Sequence, residues 1–409
     1  MPTHTDIAMR EGPSPWAAYD PLSDTSRLLS AIAFGPNISR RLGLVLGLNI
    51  MPPGRAFCTY RCAYCPLAPV LELVPPLGHG GSWPSAEEIK EALIEALEKV
   101  RPYFKLDAVA LIGNGEPTLH PELNSIMEAA REAIGSCSQG LKLAVFTNSS
   151  TLGREAVVDA LSIADYVVAK LDSAWEGLWM AINRPHKALG GLARVLNGLS
   201  RLREALSSSR AKLVISITLV RLLDGTTNAS GEHLRALAKL LMEIGPDQVH
   251  VEAPLPQAGP QFEPLPRQEL VEAALTVADA VGRDSVFLLM GTTAPIPASL
   301  IEQLPAGGGP TAMLSEKAEL LLLEGPGART RLRILVALSR RKMNCNQVAK
   351  AVGVSWWSAQ RHLKLLLEAG LIRAVGFGRR IYYAITTSGL RALANVRARA
   401  GELEAPRLI

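Results

Sequence analysis

Three of the five cysteines in this 409-residue chain, Cys58, Cys62 and Cys65, stand within one short stretch spaced C-x-x-x-C-x-x-C. Thiolates are soft ligands that suit iron–sulfur clusters, zinc or copper. Three of them leave one position of a four-coordinate site unfilled. Either a distant side chain completes a structural zinc site, or the position stays open for chemistry. No second C-x-x-C and no histidine pair lies nearby, His79 being the nearest histidine. Spacing alone therefore leans towards iron–sulfur. An odd cysteine count with three crowded together is a poor disulfide framework and fits a metal site in a reducing compartment. Cys137 and Cys345 lie far away in helical contexts and read as small buried or half-buried thiols.

Such residues need a scaffold, and the apolar pattern supplies one. Leu42 to Ile50 reads as a buried strand ended by Pro52-Pro53-Gly54, and the cysteines occupy the loop after it. Ser85 caps a helix running to about Val100. Strands then alternate with helices: strands at Leu106–Ile112, Leu141–Phe146, Tyr166–Leu171, Lys212–Leu219, Gln248–Glu252 and Ser285–Met290. Helical patterns cover Glu122–Ile134, Arg154–Leu161, His186–Leu206, Gly231–Ile244 and Gln268–Val281. Repeated βα units require parallel strands with right-handed crossovers. Such a count of units fits α/β folds of two kinds, a partial (β/α)6 TIM-type barrel, which is the fold class expected, or a doubly wound sheet, and in both function collects at the carboxyl ends of strands. Unusual residues do follow strands: Gly113-Asn114-Gly115-Glu116, Thr147-Asn148-Ser149, and Lys170-Leu171-Asp172-Ser173.

With these motifs in order, the chain resembles the radical SAM superfamily, in the branch grouped with wyosine-type tRNA-modifying synthases. Tyr64 stands beside the last cysteine as that family's aromatic does. Gly113 to Pro121 looks like its G-x-G-E-P motif, and Ser39-Arg40-Arg41-Leu42-Gly43 and Ile182-Asn183-Arg184-Pro185-His186 also match. The resemblance covers residues 34–290. It implies that Cys58, Cys62 and Cys65 each bind one iron of a [4Fe–4S] cluster, with the fourth iron open to S-adenosylmethionine. A reduced cluster would cleave that cofactor to a 5′-deoxyadenosyl radical, which takes a hydrogen from substrate. A ferredoxin- or flavodoxin-like reductant is the implied partner. Glu116, on a glycine loop of Gly113, Asn114 and Gly115, would meet the methionine ammonium; without the motif around it, the cap of a helix near Pro121 would be the stronger reading. Asn148 and Asp172 would hydrogen-bond ribose or carboxylate, or merely form turns. Lys170 would pair with a carboxylate or with Asp172, and Tyr64 would lie near the adenine. The second N-terminal cysteine triplet of the wyosine-type synthases is missing from the first 57 residues, which puts the wyosine reaction itself in doubt.

Residues 1–36 are irregular and polar in pattern, with no apolar leader and no run of about 18 apolar residues. A soluble, cytoplasmic chain without a membrane partner is expected. Pro305 and Pro310 flank three glycines, the best linker. The expected domains are an irregular segment at 1–33, the barrel at 34–302, the linker at 303–311 and a second domain at 312–409. From Thr311 to Ile409 there are 17 Lys and Arg against 6 Asp and Glu, a net of +11 that leaves −6 for the rest. A basic tail on a mildly acidic body is the asymmetry of a module that meets a polyanion. Its pattern is a winged helix-turn-helix: helices at Arg329–Ser339, Asn344–Ala351 and, capped by Ser355, a third reaching Ala369. A hairpin follows over Leu371–Val375 and Arg379–Ile385, with Gly376-Phe377-Gly378 as its turn. It resembles archaeal and ArsR-type regulators. Arg361, Lys364, Arg379 and Arg380 are candidates for phosphate contacts on DNA or tRNA, and Ser355, Ser358 and Gln360 for base edges. Trp356 and Trp357 are unusual at a DNA-reading surface, and stacking on RNA bases or packing are both open to them.

Overall fold

A computed structural model describes residues 28–77, 81–101, 106–137, 140–254, 261–263, 265–289, 295–301, 327–377, 380–386, 388–390 and 392–393. The linker read at 303–311, Arg379 and all but the end of the segment read at 1–33 lie outside these residues.

Seven strands run parallel in one sheet, in chain order: Gly43–Leu48, Ala108–Leu111, Lys142–Thr147, Tyr166–Lys170, Lys212–Thr218, Gln248–Glu252 and Val286–Leu289. Helical crossovers separate them, which makes the body an α/β partial barrel. Both faces of the strands are covered. Ala108–Leu111 is buried at every position, as parallel sheets require. The helix Ala86–Val100 begins with a reciprocal capping box between Ser85 and Glu88 and turns Ile89, Leu93, Ala96, Leu97 and Val100 inward. Helix Gly231–Ile244 and strand Gln248–Glu252 have the limits that their patterns predict.

Antiparallel strands flank this parallel set on both sides. Ala33–Ser39 pairs with Gly43–Leu48, and Ile296–Pro297 pairs with Val286–Leu289. The first corrects the irregular reading of residues 1–36. Gly35-Pro36 hides the strand in the sequence, and the register does shift between Phe34 and Asn37. A proline that cannot donate is accommodated because this strand is at the sheet's edge. Two further corrections concern helices. The stretch His186–Leu206 is broken by Gly190 and Gly191, both at positive φ, into a short turn at Lys187–Leu189 and a helix at Leu192–Leu206. A helix at Glu176–Asn183 had no expectation at all.

The C-terminal module has helices Ala328–Arg340, Cys345–Val352 and Trp356–Glu368, with a three-stranded sheet of Met343–Asn344, Arg380–Ile385 and Ile372–Phe377. Gly353, left-handed at φ 70°, ends the second helix, and Ser355 caps the third by accepting from Ser358 N. The strand continues through Gly376 and Phe377, which corrects their assignment to the turn. This is a winged helix.

Candidate functional site

The cysteine loop sits over the carboxyl end of the first parallel strands. Phe57–Cys58 forms a short ladder with Glu72–Leu73, and Phe57 bridges to Gly115. Gly115 is required there. Its φ is 144°, and a Cβ would lie 1.9 Å from the Phe57 carbonyl oxygen. That approach lets Glu116 N donate to Phe57 O at 2.9 Å, locking the glycine loop to the cysteine loop. Gly113 is similarly confined, since a Cβ would meet Asn49 Oδ1 at 2.4 Å.

Glu116 is buried, and its two oxygens are used unequally. Oε1 accepts from Thr118 N at 3.2 Å, Thr118 Oγ1 at 2.5 Å and Thr147 Oγ1 at 2.8 Å, whereas Oε2 accepts from Asn148 N at 2.6 Å. Glu116 caps the short turn Pro117–Leu119 in place of a helix near Pro121, and it keeps acceptor capacity on Oε2. Burial raises its pKa, opposed by those hydrogen bonds from Thr118, Asn148 and Thr147. Asn148 then connects Glu116 to the sulfurs, its Nδ2 donating to Cys58 Sγ at 3.2 Å and to Thr59 Oγ1 at 2.8 Å.

A second network lies under Cys62. Asn183 Nδ2 is 3.4 Å from Cys62 Sγ and donates to Asp172 Oδ2 at 2.7 Å. Tyr64 Oη also donates to that oxygen. Asp172 Oδ1 accepts from Thr218 N at 2.7 Å and lies 3.4 Å from Lys170 Nζ. The carboxylate is thus a hub with both oxygens in use. Lys170 Nζ also donates to Thr218 Oγ1 at 2.5 Å, lies 3.5 Å from Glu252, and sits 5.1 Å from the Tyr64 ring centroid. Glu252 in turn is held by Arg40 at 2.7 Å and Arg41 at 2.6 Å. Burial alone would raise the Glu252 carboxyl, but Arg41, Lys170 and Arg40 outweigh it and keep it well below the usual range.

Of the residues singled out in the sequence, Cys58, Cys62, Tyr64, Glu116, Asn148, Lys170 and Asp172 meet in these two networks, and Cys65 is tied to Cys62 through its backbone, Cys65 N donating to Cys62 O at 3.0 Å. Asn114 faces elsewhere: its side chain holds Leu29, accepting from Leu29 N at 2.9 Å and donating to Leu29 O at 2.7 Å. Asn183, Thr147, Thr118, Arg40, Arg41 and Glu252 were not singled out as site residues. The quoted motifs that contain Asn183, Thr147, Thr118 and the arginine pair carried the signal for five of them, all but Glu252. In the winged helix, Ser355 spends its hydroxyl on the cap, Ser358 and Gln360 are half-buried, and Arg361 and Lys364 are exposed. The side chain of Arg380 lies outside the described residues, as does Arg379.

The donor set fits an iron–sulfur cluster. All three candidate ligands are sulfur, and two of the sulfurs face amide donors of the kind that tune cluster potentials. Burial first, and then neighbouring charges including Glu116 and Asp172, raises the thiol of Cys58 well above its usual value and that of Cys62 to about 12. Free thiolates are disfavoured here, and ligation to a metal centre would supply the charge that offsets this. Among the described residues no three His, Cys, Asp or Glu side chains converge on a single ion. A cluster differs from a single ion in that each thiolate takes its own iron.

Residues 55–224 match the family model of the radical SAM superfamily, and residues 329–374 match that of the bacterial arsR family of regulatory proteins. A UPF0026 protein of Methanocaldococcus jannaschii is 29% identical over 259 residues, which are 63% of this chain and 74% of that one. A UPF0026 protein of Synechocystis is 28% identical over 223 residues, covering 54% of this chain and 74% of its own. A solved structure of TYW1 with a bound lysine–pyruvate adduct superposes with a TM-score of 0.43 at 16% identity, covering 60% of this chain and 76% of that one. The chain carries a radical SAM domain followed by a C-terminal ArsR-type helix-turn-helix.

Proposed function

We propose that this protein is a radical SAM enzyme in which Cys58, Cys62 and Cys65 hold one [4Fe–4S] cluster beside a site for S-adenosylmethionine. One observation carries the reading. Asn148 donates through its backbone to Glu116 and through its side chain to Cys58, so the cysteine motif and the G-x-G-E motif serve one place. The chemistry such a cluster supplies with S-adenosylmethionine is reductive cleavage of the sulfonium and hydrogen-atom abstraction from a substrate.

This chain's residues have definite parts in that scheme. Glu116 Oε2 offers an acceptor to the cofactor's ammonium group, while Thr118 and Thr147 hold Oε1 in place. Asn148 and Asn183 orient the sulfurs of Cys58 and Cys62. Phe57, Tyr60 and Leu111 are buried under the loop and keep water from its inner side. Lys170 and Asp172 are positioning residues, since each is engaged by protein partners. The division favoured is a barrel over 34–302, a linker over 303–311 and a nucleic-acid-binding winged helix over 312–409. A cytoplasmic setting with a ferredoxin- or flavodoxin-like reductant suits the thiol ligands. No helix among the described residues is long and apolar enough to cross a membrane.

Anaerobic reconstitution tests the reading: iron and sulfide are assayed, and 5′-deoxyadenosine is measured after adding S-adenosylmethionine and a reductant. About four irons per chain with 5′-deoxyadenosine formation is the expected result. Zinc without labile iron overturns it. A cluster without 5′-deoxyadenosine favours a sensor that performs no turnover.

A further inference from the structure

The third helix of the winged module, Trp356–Glu368, buries Ala359, Leu363, Leu366 and Leu367. Its opposite face carries Trp357, Arg361 and Lys364, spaced i, i+4 and i+7 and therefore aligned on one side. Trp357 is 76% exposed, the most exposed of the large hydrophobic side chains among the described residues. Its ring meets that of Trp356 edge-on, with centroids 4.9 Å apart and planes at 86°. That arrangement leaves broad indole surface open to a partner. Of the two cations, Lys364 has only a loose pairing with Glu368 at 3.8 Å, both half in solvent.

A flat aromatic followed by two cations has a specific chemical complement. Fully paired duplex presents base edges in its grooves and keeps base faces inside the stack. Unpaired bases offer their faces, and single-strand binding surfaces combine aromatic platforms with basic groups that track the backbone. The surplus of 17 Lys and Arg over 6 Asp and Glu in this part of the chain argues for a polyanion over an apolar protein partner. We propose that the exposed face of this helix binds single-stranded nucleic acid, Trp357 stacking on an unpaired base while Arg361 and Lys364 contact the flanking phosphates. The inference rests on the nucleic-acid reading of the module and narrows it to unpaired segments.

The test uses the full chain and fluorescence anisotropy with three labelled probes of mixed sequence, each about 16 nucleotides or base pairs long: single-stranded RNA, single-stranded DNA and duplex DNA. The expected result is preference for a single-stranded probe. Trp357→Ala should weaken that binding about 5- to 100-fold, with Trp357→Phe keeping most of it, because one base stack is removed or retained. Arg361→Ala should weaken all probes alike and lower the salt slope by about one. The RNA and DNA arms tell which strand is preferred, and either supports the inference. Preference for duplex, or Trp357→Ala leaving single-strand affinity unchanged, overturns it while leaving nucleic-acid binding standing. Absence of binding to any probe overturns the nucleic-acid reading and the inference with it. A dimer of the wild type that Trp357→Ala converts to monomer assigns the tryptophan to a second copy of the chain, and also overturns it.

Discussion

The side-chain amide of Asn183 lies 3.4 Å from the sulfur of Cys62. The same nitrogen also donates to Asp172 Oδ2 at 2.7 Å, which anchors the amide. Hydrogen bonds to cluster sulfurs stabilise the more negative, reduced state and raise the reduction potential. Asn183→Ala should therefore lower the potential of the reconstituted protein. One hydrogen bond worth about 0.5–1.5 kcal/mol corresponds to a shift of about 20–60 mV for one electron. A spectroelectrochemical titration reads it. An unchanged potential at unchanged iron content would count against the contact.

Glu116→Gln replaces a carboxylate oxygen with an amide that cannot accept the same donors. Whichever way the amide turns, an N–H group faces either Asn148 N or the Thr118 and Thr147 donors. A buried donor opposed to a donor costs about 1–3 kcal/mol. The expected outcome is a lower Tm by differential scanning calorimetry, together with a loss of S-adenosylmethionine affinity of at least tenfold by isothermal titration. Normal affinity for the cofactor would remove Glu116 from the site.

Gly115→Ala tests the junction of the two loops. The new Cβ collides with the Phe57 carbonyl, and φ of 144° is strained for any L side chain. Strain of about 1–3 kcal/mol, with the collision added, should separate the loops. Iron retained after gel filtration should fall with thermal stability. Full iron loading at wild-type Tm would contradict the account.

Stability towards acid should decline in two stages. His250 is buried, and burial, followed by the charge of Arg41, lowers its pKa from 6.5 to about 3. The unfolded chain thus takes up that proton first, so the stability is present above pH 6.5 and is lost as pH falls towards 3. His120, lowered to about 4 chiefly by burial, and His233 act in the same sense. Glu252 adds a later loss, present above its unfolded value of 4.5 and disappearing below it, because Arg40, Arg41 and Lys170 favour its ionised form. Urea titrations at pH 7.5, 5.5 and 4 should show the first decline as about 2–4 kcal/mol. His250→Gln should make the first stage shallower, leaving the part due to His120 and His233, and Glu252→Gln should lower stability at pH 7.5 by about 3–5 kcal/mol through its unpaired arginines. A flat profile down to pH 5 would refute the first stage.

Much of this arrangement was legible in the sequence because it repeats locally. Strand-end motifs announce themselves: Cys58, Glu116, Asn148 and Asp172 each follow an apolar run, and a parallel barrel brings such ends together. What stayed hidden depended on distance or on conflicting local signals. Glu252 ends an ordinary strand, and nothing beside it in sequence indicates the arginines that hold it. Asn114 sits inside the strongest motif but turns towards Leu29, because adjacent loop residues point to opposite sides. The edge strand Ala33–Ser39 was obscured by Pro36, and the helix Glu176–Asn183 starts at Trp175 without the side-chain cap that marks a helix start.

The pairing of Arg40 with Glu252 spans 212 positions. At a synthesis rate of about 5–20 residues per second, the arginine leaves the ribosome about 10–40 s before its carboxylate exists. Throughout that interval the two guanidinium groups lack the carboxylate that holds them in the finished barrel, while Lys170, once made, has Asp172 beside it. Closure therefore waits for the sixth parallel strand, and a translational pause placed shortly before codon 252 would prolong the window in which the growing chain is open to chaperones, or to aggregation.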